Sequence, residues 1–338
     1  MTTEMMRAAV LSGPRNMLIK QMRRPTAEAA DEVIAEVCYV GICRTDLQLT
    51  ELAVDTARVL GHEVVCRIPG EQAFFAVDNE ISCGRCAYCQ QHLTSHCSYL
   101  RELGVNEHGG YAEWIRVPRV QLHRFFFKNP VLGVLIEPLS CALHAEQRLR
   151  RFMESNITHP SVLIVGGGVS GALISYLLCR WPERPQIRLV DSSAAELPWS
   201  TNLQVQRVKE VHEESSQIVV ECSGTPEGCR TAFQAVRRAG LVCLYGVPGE
   251  ATLIPRTARE LFELELTVLT SVAGVTEITM QSAIELIQRD ERFFEQLLGR
   301  RVPLEHLPVE LVDWRPSPGT RTIVDLKRCA EQAGSERV

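Results

Sequence analysis

The sequence lacks several features that mark specialised classes of protein. Its 338 residues carry 36 basic and 41 acidic side chains, a net charge of −5, so we predict neither nucleic acid nor a membrane as a partner. The opening MTTEMMR contains no apolar core of an export signal, and the longest apolar runs are too short to cross a bilayer. No internal repeat or low-complexity tract is present. We therefore expect a globular cytoplasmic protein that is long enough for two domains.

Thirteen cysteines would indicate a disulfide framework in a short secreted chain, but this chain is long and has no export signal. Four of them follow the spacing C-x2-C-x2-C-x7-C, at Cys83, Cys86, Cys89 and Cys97. Four thiolates can surround one tetrahedral zinc ion and leave it no open position. We predict a structural zinc lobe over residues 83–97, because unrelated thiols would not be expected to show such regular spacing.

The pattern of apolar and polar residues changes along the chain. Residues from about 7 to 125 contain short alternating runs bounded by Gly, Pro and Asp, which predict a β-rich module. From Ser161 onwards, continuous apolar runs alternate with helical stretches, a pattern typical of a doubly wound α/β domain with a parallel sheet. A last strand-like stretch, 320–326, could return to the first module. The predicted buried strands are 162–165, 187–190, 218–220, 241–244 and 266–269, and the predicted helices are 171–180, about 229–238 and about 276–288.

A glycine-rich turn follows the first of these buried strands. Its residues, Gly166 to Gly171 with Val169 among them, fit G-x-G-x-x-G and open a predicted helix. Gly166 would permit the turn, Gly168 the approach of a pyrophosphate, and Gly171 close packing of helix and strand. Asp191 stands at the end of the next strand, where a carboxylate binds ribose hydroxyls and repels a 2′-phosphate. The pattern predicts NAD rather than NADP.

Later strand ends also carry small or apolar residues that we expect to border the cofactor, because ligands of such sheets lie beyond the carboxyl ends of the strands. These residues are Ser223, Gly246, Val247, Ser271 and Val272.

A second, open metal site is predicted from residues on either side of the lobe. Cys43 and His62 are ligand types suited to zinc, and Glu63 or Glu137 could supply an oxygen. Three protein ligands leave a position for an alcohol oxygen, whose pKa the metal would lower. Taken alone, each of these residues is more simply interpreted as an ordinary core or surface side chain. Together, and in a chain that also has a predicted nicotinamide site, they indicate a catalytic metal site.

The chain resembles the zinc-containing medium-chain dehydrogenase/reductase family, which includes alcohol, sorbitol and threonine dehydrogenases. The resemblance covers nearly the whole chain and rests on the motifs GICRTD, GHE, the four-cysteine lobe, HGGYAE, EPLSCALHA, GGGVSG and ECSG. It implies a GroES-like catalytic domain over 1–140, a Rossmann domain over 141–275 and a return to the catalytic domain over 276–338. It also implies a homodimer or homotetramer.

The resemblance also assigns roles to individual residues. The glutamate of the Glu137-Pro138 pair points to the polyol and threonine dehydrogenase branches, where it binds zinc directly or through water. Thr45 takes the place of a hydroxyl that passes on the proton of the substrate, and Arg44 the place of a basic contact to the cofactor pyrophosphate. The sequence departs from the family at Gln48, where a relay histidine is common, and at Glu196, where a basic residue near the ribose is common.

The predicted function is the transfer of hydride between a secondary alcohol and NAD by an enzyme with two zinc ions, one catalytic and one structural. A polyol, a cyclitol or an amino-alcohol would be the substrate. One alternative is an NAD(P)H-dependent aldehyde or ketone reductase of a specialised biosynthetic pathway. Another is a non-catalytic NAD-binding protein that keeps the structural zinc as a scaffold, which the loss of the relay histidine would suggest. The intact open-site residues argue against that scaffold.

Overall fold

The structure, a computed structural model, describes residues 4–51, 57–153, 160–249, 252–274, 276–313 and 317–326. The chain divides into two compact units. Unit 1 comprises residues 1–140, 275–317 and 321–338, and unit 2 comprises residues 141–274 and 318–320. The domain boundaries drawn from the sequence stay a prediction. No helix in the described part of the chain is both long enough and apolar enough to cross a membrane.

Strands and helices are numbered in chain order over the described residues. The strands are β1 Met5–Leu11, β2 Met17–Arg23, β3 Glu32–Gly41, β4 Arg58–Val59, β5 Glu63–Arg67, β6 Phe74–Val77, β7 Glu80–Ile81, β8 Arg101–Glu102, β9 Trp114–Pro118, β10 Leu122–Phe125, β11 Ser161–Val165, β12 Gln186–Val190, β13 Gln206–Arg207, β14 Ser216–Glu221, β15 Val236–Leu244, β16 Thr267–Thr270, β17 Leu298–Pro303 and β18 Arg321–Asp325.

The α-helices are α1 Arg44–Glu51, α2 Ala87–Gln90, α3 Ile136–Met153, α4 Val169–Leu178, α5 Pro198–Asn202, α6 Pro226–Ala235, α7 Ala258–Glu263, α8 Glu277–Arg289, α9 Glu291–Glu295 and α10 Leu307–Val312. Short 3-10 segments cover Thr94–His96, Arg119–Gln121, Pro130–Leu135 and Leu304–His306.

Unit 1 is built on a seven-stranded sheet in the order β10-β6-β5-β3-β18-β17, with β9 paired to the first half of β3. A three-stranded sheet, β2-β1-β4, and the small pair β7-β8 complete it. The inward-facing side chains form one apolar core that includes Val10, Val64 and Val117. Strand β18 pairs antiparallel with β3, with Ile323 opposite Gly41, so a strand from the end of the described chain belongs to this sheet.

Unit 2 contains a six-stranded sheet in the order β13-β12-β11-β14-β15-β16, with every neighbouring pair parallel. Leu163, Val219 and Phe233 are among the buried residues of its core, which explains why the strand sequences are apolar without alternation. The strand order reverses between β11 and β14, at the position where such sheets bind their ligands. The predicted Rossmann fold is confirmed.

One predicted helix boundary is wrong. A helix over about 229–238 was expected, but α6 ends at Ala235 and β15 begins at Val236. Pro226 at the first turn and the Thr225 side chain, which accepts a hydrogen bond from Gly228 N, set the start of α6 instead. The polar residues after Ala235 therefore belong to the solvent-exposed beginning of a strand.

Candidate active site and metal centres

The four cysteines of the lobe converge in unit 1. Their sulfur atoms all lie within 4.8 Å of one another, and the separations include 3.5 Å for Cys86 and Cys89, 3.9 Å for Cys86 and Cys97, and 4.0 Å for Cys83 and Cys89. Four sulfurs at the zinc–sulfur distance of about 2.3 Å would stand about 3.8 Å apart in a tetrahedron. The donor set therefore fits one zinc ion with no open coordination position.

Backbone amides prepare these sulfurs to carry negative charge. The N–H groups of Cys83 and Tyr99 both point at Cys97 Sγ, with nitrogen–sulfur distances of 3.3 Å. The backbone N–H of Cys89, and then that of Ser98, lowers the pKa of Cys86 to about 6. The turn at Gly84 has a φ of 67°, a value that glycine adopts without strain. Burial raises the pKa of Cys89 to about 11, so the thiolate, the form of cysteine that binds metal, is favoured at Cys86 and not at Cys89.

A second group of ligand atoms lies elsewhere in unit 1. Cys43 directly precedes α1, and His62 directly precedes Glu63, the first residue of β5. One atom from each of these three side chains lies within 4.8 Å of the others, and both His62 and Glu63 are buried. A sulfur, an imidazole and a carboxylate are the ligand types of an open zinc site. The structure therefore brings Cys43, His62 and Glu63 together.

A fully buried carboxylate that the sequence reasoning did not assign, Asp46, organises this group. It accepts hydrogen bonds from Cys43 N at 2.9 Å, Gly61 N at 3.2 Å and Tyr111 Oη at 2.8 Å, and Asp46 Oδ1 lies 3.3 Å from His62 Nδ1. His62 Nδ1 therefore faces an acid, and its other ring nitrogen remains for a metal. Asp46 stands in the GICRTD motif, and that position was the only signal for it.

The charges of this group alter one another's pKa. Burial lowers the pKa of His62, but the carboxylate of Asp46 outweighs this effect and raises it. Burial has the opposite effect on Cys43 and raises the pKa of its thiol. The hydrogen bond and the charge of His62 outweigh burial and lower that pKa to about 7. A thiol with a lowered pKa is readily deprotonated, as a metal ligand must be.

Glu63 is held from its other side by Arg321 of β18, with Oε1 and Nη2 2.8 Å apart. A side chain at Gly41 would collide with the Glu63 carboxylate, so glycine is needed there. Burial raises the pKa of Glu63 to about 8, against the opposing charge of Arg321. A carboxylate that would be costly to bury alone is thus kept in place by an arginine.

The remaining residues predicted for catalysis or cofactor binding in unit 1 differ in their burial and in their contacts with this group. Glu137, on the first turn of α3, is buried but is not a member of the converging group, although its charge bears on Arg321. Thr45 Oγ1 lies 3.6 Å from Cys43 Sγ. Gln48 is half-buried on α1, and Arg44 is exposed at the start of that helix. Of the two glutamates, Glu63 lies in the converging group of described residues and Glu137 lies outside it.

In unit 2, the glycine-rich turn has the geometry of a dinucleotide site. Gly166 has a φ of 106°, and a Cβ atom at Gly171 would stand 2.1 Å from the carbonyl oxygen of Gly166, so neither position admits a side chain. A Cβ atom at Gly168, the N-cap of α4, would meet nothing within 4 Å. The first backbone amides of α4 therefore face an open approach that suits a phosphate.

Asp191 follows β12 directly and braces this turn. Its Oδ2 accepts a hydrogen bond from Gly167 N at 2.6 Å and its Oδ1 accepts one from Ser193 N at 2.9 Å. Each carboxylate oxygen has a second lone pair that can accept from a ribose hydroxyl. The other predicted cofactor residues follow the carboxyl ends of neighbouring parallel strands: Val169 after β11, Ser223 after β14, Gly246 and Val247 after β15, and Ser271 and Val272 after β16.

Two family descriptions match the chain. The GroES-like domain of alcohol dehydrogenases matches residues 29–126, and the C-terminus of glucose dehydrogenase matches residues 131–313.

Similar sequences carry related names. An uncharacterized zinc-type alcohol dehydrogenase-like protein of Haemophilus influenzae is 25% identical, over 93% of this chain and 96% of its own. D-Altritol 5-dehydrogenase of Agrobacterium fabrum is 24% identical, over 79% and 84%. L-Threonine 3-dehydrogenase of Saccharopolyspora erythraea is 25% identical, over 72% and 78%.

Solved structures share the fold. L-Idonate 5-dehydrogenase of Escherichia coli superposes with a TM-score of 0.82 at 18% identity, covering 96% of this chain and 99% of its own. Glucose dehydrogenase of Haloferax mediterranei, in complex with NADP, zinc and gluconolactone, gives a TM-score of 0.79 at 19% identity, covering 95% and 99%.

A GroES-like unit combined with a Rossmann unit defines an alcohol oxidoreductase that uses zinc and a nicotinamide cofactor. The chain belongs to the zinc-containing medium-chain dehydrogenase/reductase family.

Proposed function

We propose that the protein oxidises a polar secondary alcohol with NAD and carries two zinc ions per chain. The observation that carries this proposal is the convergence of Cys43, His62 and Glu63 in one unit that also contains the four-cysteine lobe. A scaffold without activity would need only the lobe. Two separate donor sets, one closed and one open, are what a structural and a catalytic zinc require.

The residues around the open set have separate tasks. Cys43, His62 and Glu63 would hold the zinc, and Glu137 would approach it directly or through water. When bound, the metal supplies a Lewis acid that lowers the pKa of a substrate hydroxyl. Thr45 Oγ1 would accept the proton of that hydroxyl. Gln48 cannot act as a base, so the proton would pass from Thr45 to water or to a cofactor hydroxyl.

NAD is proposed over NADP because of Asp191. Its carboxylate is fixed by two backbone amides at the end of β12, so it cannot swing away from a 2′-phosphate without losing both bonds. Glu196, which is exposed five residues further on, adds a second negative charge. The glucose dehydrogenase of Haloferax mediterranei, which shares this fold, was solved with NADP.

A substrate with several polar groups is supported by the names of the relatives, which include an altritol and a threonine dehydrogenase. The presence of Glu137, the residue typical of the polyol and threonine branches, supports the same class.

A homodimer formed through unit 2 is also proposed. Strand β16 lies at the edge of the six-stranded sheet and pairs, among the described residues, with β15 alone. Large apolar side chains are exposed in this unit, including Leu253 at 78%, Phe262 at 83% and Val272 at 62%. An open strand edge beside exposed apolar groups favours association with a second copy.

Metal analysis combined with turnover tests the central proposal. We expect two zinc ions per chain, and NADH formation with a panel of polyols, cyclitols and amino-alcohols. Cys43→Ser should remove the zinc of the open set and the turnover while the lobe keeps its ion. Cys89→Ser, the matched control, should remove the zinc of the lobe instead. Full turnover by Cys43→Ser would disprove a catalytic zinc at this position.

A further inference from the structure

Glu221 is a buried acid at the carboxyl end of β14 in unit 2. It is only 2% exposed, and both of its side-chain oxygens accept hydrogen bonds. Oε1 accepts from Ser223 N at 2.7 Å, from Ser223 Oγ and from Gly224 N at 3.1 Å, and Oε2 accepts from Gly224 N at 3.0 Å. The side chain therefore fixes the turn that directly follows its own strand.

The backbone of Glu221 holds the neighbouring turn as well. Its carbonyl oxygen accepts from Tyr245 N at 2.9 Å and from Gly246 N at 2.7 Å, just beyond the end of β15. A Cβ atom at Gly246 would collide with Gly224 N, and one at Gly224 would collide with the carbonyl oxygen of Val247. The turns after β14 and β15 are thus in direct contact, and one residue is bonded to both.

The turn after β14 also packs against the glycine-rich turn after β11. Cys222 N donates to Val165 O at 2.8 Å, which joins the ends of the two strands. A Cβ atom at Gly166 would stand 3.0 Å from Ser223 N and 3.1 Å from Ser223 Cβ, so the two turns are in close contact. Because Gly166 begins the predicted pyrophosphate site, the turn that Glu221 fixes is the neighbour of that site on the side of β14.

The hydroxyl group of Ser223 is fully used within this turn. It donates its proton to Glu221, and its oxygen accepts from Thr225 N at 3.2 Å. Thr225 Oγ1 lies 2.9 Å from Ser223 Oγ, and since the proton of Ser223 is already donated, Thr225 is the donor of that bond. A hydroxyl has one proton and two lone pairs, so none is left for a ligand. Ser223 therefore shapes the site through the position of its turn and not through its hydroxyl.

These contacts lie on one side of the predicted dinucleotide site. A sheet of this kind binds one nucleotide on each side of the point where the strand order reverses. Asp191 follows β12 and belongs to the adenosine side, so the ends of β14 and β15 belong to the nicotinamide side. We expect a shift of the turn after β14 to disturb the nicotinamide half of the cofactor and to leave the adenosine half in place.

We propose that Glu221 is a positioning residue for the nicotinamide half of NAD. The inference rests on the proposed function and adds a residue that the sequence reasoning did not assign to the site. The side chain and the carbonyl oxygen of Glu221 together set how the turns after β14 and β15 stand against the glycine-rich turn. Glutamine at this position would keep one acceptor oxygen and would place an amide NH₂ group against the N–H of Gly224, so the turn would move.

Calorimetry with three ligands of increasing length tests this inference: AMP, ADP-ribose and NAD. AMP reaches only the adenosine side, whereas ADP-ribose adds the second ribose and NAD adds the nicotinamide. We expect Glu221→Gln to bind AMP as the wild type does. It should bind ADP-ribose and NAD about tenfold more weakly, the effect of leaving one buried donor without its partner. In turnover, KM for NAD should rise by a similar factor while kcat at saturating NAD stays unchanged.

Two further variants assign the effect to Glu221. Glu227→Gln is the matched control, because Glu227 lies on the first turn of α6, pairs with Arg230 and has 76% of its side chain exposed. It should bind all three ligands as the wild type does. Ser223→Ala removes one bond to Glu221 and leaves both backbone amides in place, so ADP-ribose and NAD should bind about threefold more weakly and AMP equally well.

Unchanged affinity of Glu221→Gln for NAD would overturn the inference. If Glu221→Gln lost all three ligands together, as an unfolded unit would, Ser223→Ala would decide. A loss confined to ADP-ribose and NAD in that variant supports the inference, and an equal loss for the three ligands, or no loss, overturns it. The proposed function would fail separately, by one zinc ion per chain and no oxidised alcohol, because the binding series does not depend on turnover.

Discussion

Arg321 illustrates how much one residue contributes when its partner is fully buried. Arg321 forms an ion pair with Glu63, whose side chain is fully buried. The side chain of Arg321 is itself only 11% exposed. Above pH 8, where Glu63 is ionised in the metal-free protein, Arg321→Met would leave an unpaired buried carboxylate, which costs about 3–5 kcal/mol. We expect a loss of this size in the free energy of unfolding, measured by urea denaturation of the metal-free protein.

Arg15→Met provides the matched control for this prediction. Arg15 pairs with Glu51, and the two side chains are 65% and 54% exposed. A solvent-exposed pair contributes about 0–1 kcal/mol, so this variant should unfold almost as the wild type does. Equal destabilisation by the two substitutions would show that the burial of Glu63 does not decide the stability of the pair.

Asp46 leads to a second prediction for a single residue. Asp46→Asn keeps the shape of the side chain but removes the charge that faces His62 Nδ1. Because partners of this kind orient a metal ligand and raise its basicity, we expect a loss of about 10–100-fold in zinc affinity at the open site. Competition with a chelator would measure it. The lobe should keep its zinc, and equal affinities in the two proteins would contradict the prediction.

The residues that could be predicted from the sequence differ physically from those that could not. Some site residues belong to short motifs in which residue type and spacing indicate metal binding. These residues are Cys43, His62 and the four cysteines of the lobe. Tyr111 and Arg321 act through contacts with residues 65 and more than 250 positions away. No local pattern encodes such a contact. Arg321 could be recognised only once β18 was seen beside β3.

Among the elements, the lobe depends most on its metal. Its helix α2 has four residues and its 3-10 segment has three, lengths at which helices are not stable alone. Cys89→Ser should therefore release zinc and make residues 87–97 sensitive to limited proteolysis. Cys179→Ser, at an exposed cysteine of unit 2, should change neither property. A protease-resistant lobe without its zinc would show that packing alone holds it.

Element boundaries were predicted well where burial is uniform and poorly where it changes. The strands β11, β14 and β15 are apolar over the part that lies inside the sheet, so their centres are evident in the sequence. The first residues of β15, however, include Arg237 and Arg238, which are exposed. In the sequence, polar residues that follow an amphipathic helix look like a continuation of that helix. Only the pairing of Val236 with Ser216 shows that the strand has begun.

In the whole molecule, the two kinds of sheet were predictable because their strands differ in the pattern of apolar and polar residues. Alternating short runs gave the mainly antiparallel sheets of unit 1, and continuous apolar runs gave the parallel sheet of unit 2. The order of strands within unit 1 was not predictable. Strand β18 joins β3 across more than 270 residues of sequence, and the sequence could indicate only that a strand was present there.

Association between copies is the property of the whole molecule that the exposed surface of unit 2 lets us test. Phe262→Glu places a charge on a side chain that is 83% exposed and would be buried in the proposed dimer. A buried unpaired charge is costly, so the molar mass from light scattering should fall from that of a dimer to that of a monomer at micromolar concentration. Val120→Glu, at a residue of unit 1 that is 73% exposed, should leave the mass unchanged. If Val120→Glu dissociated the protein and Phe262→Glu did not, the interface would belong to unit 1, and the open edge of β16 would not be the place where two copies meet.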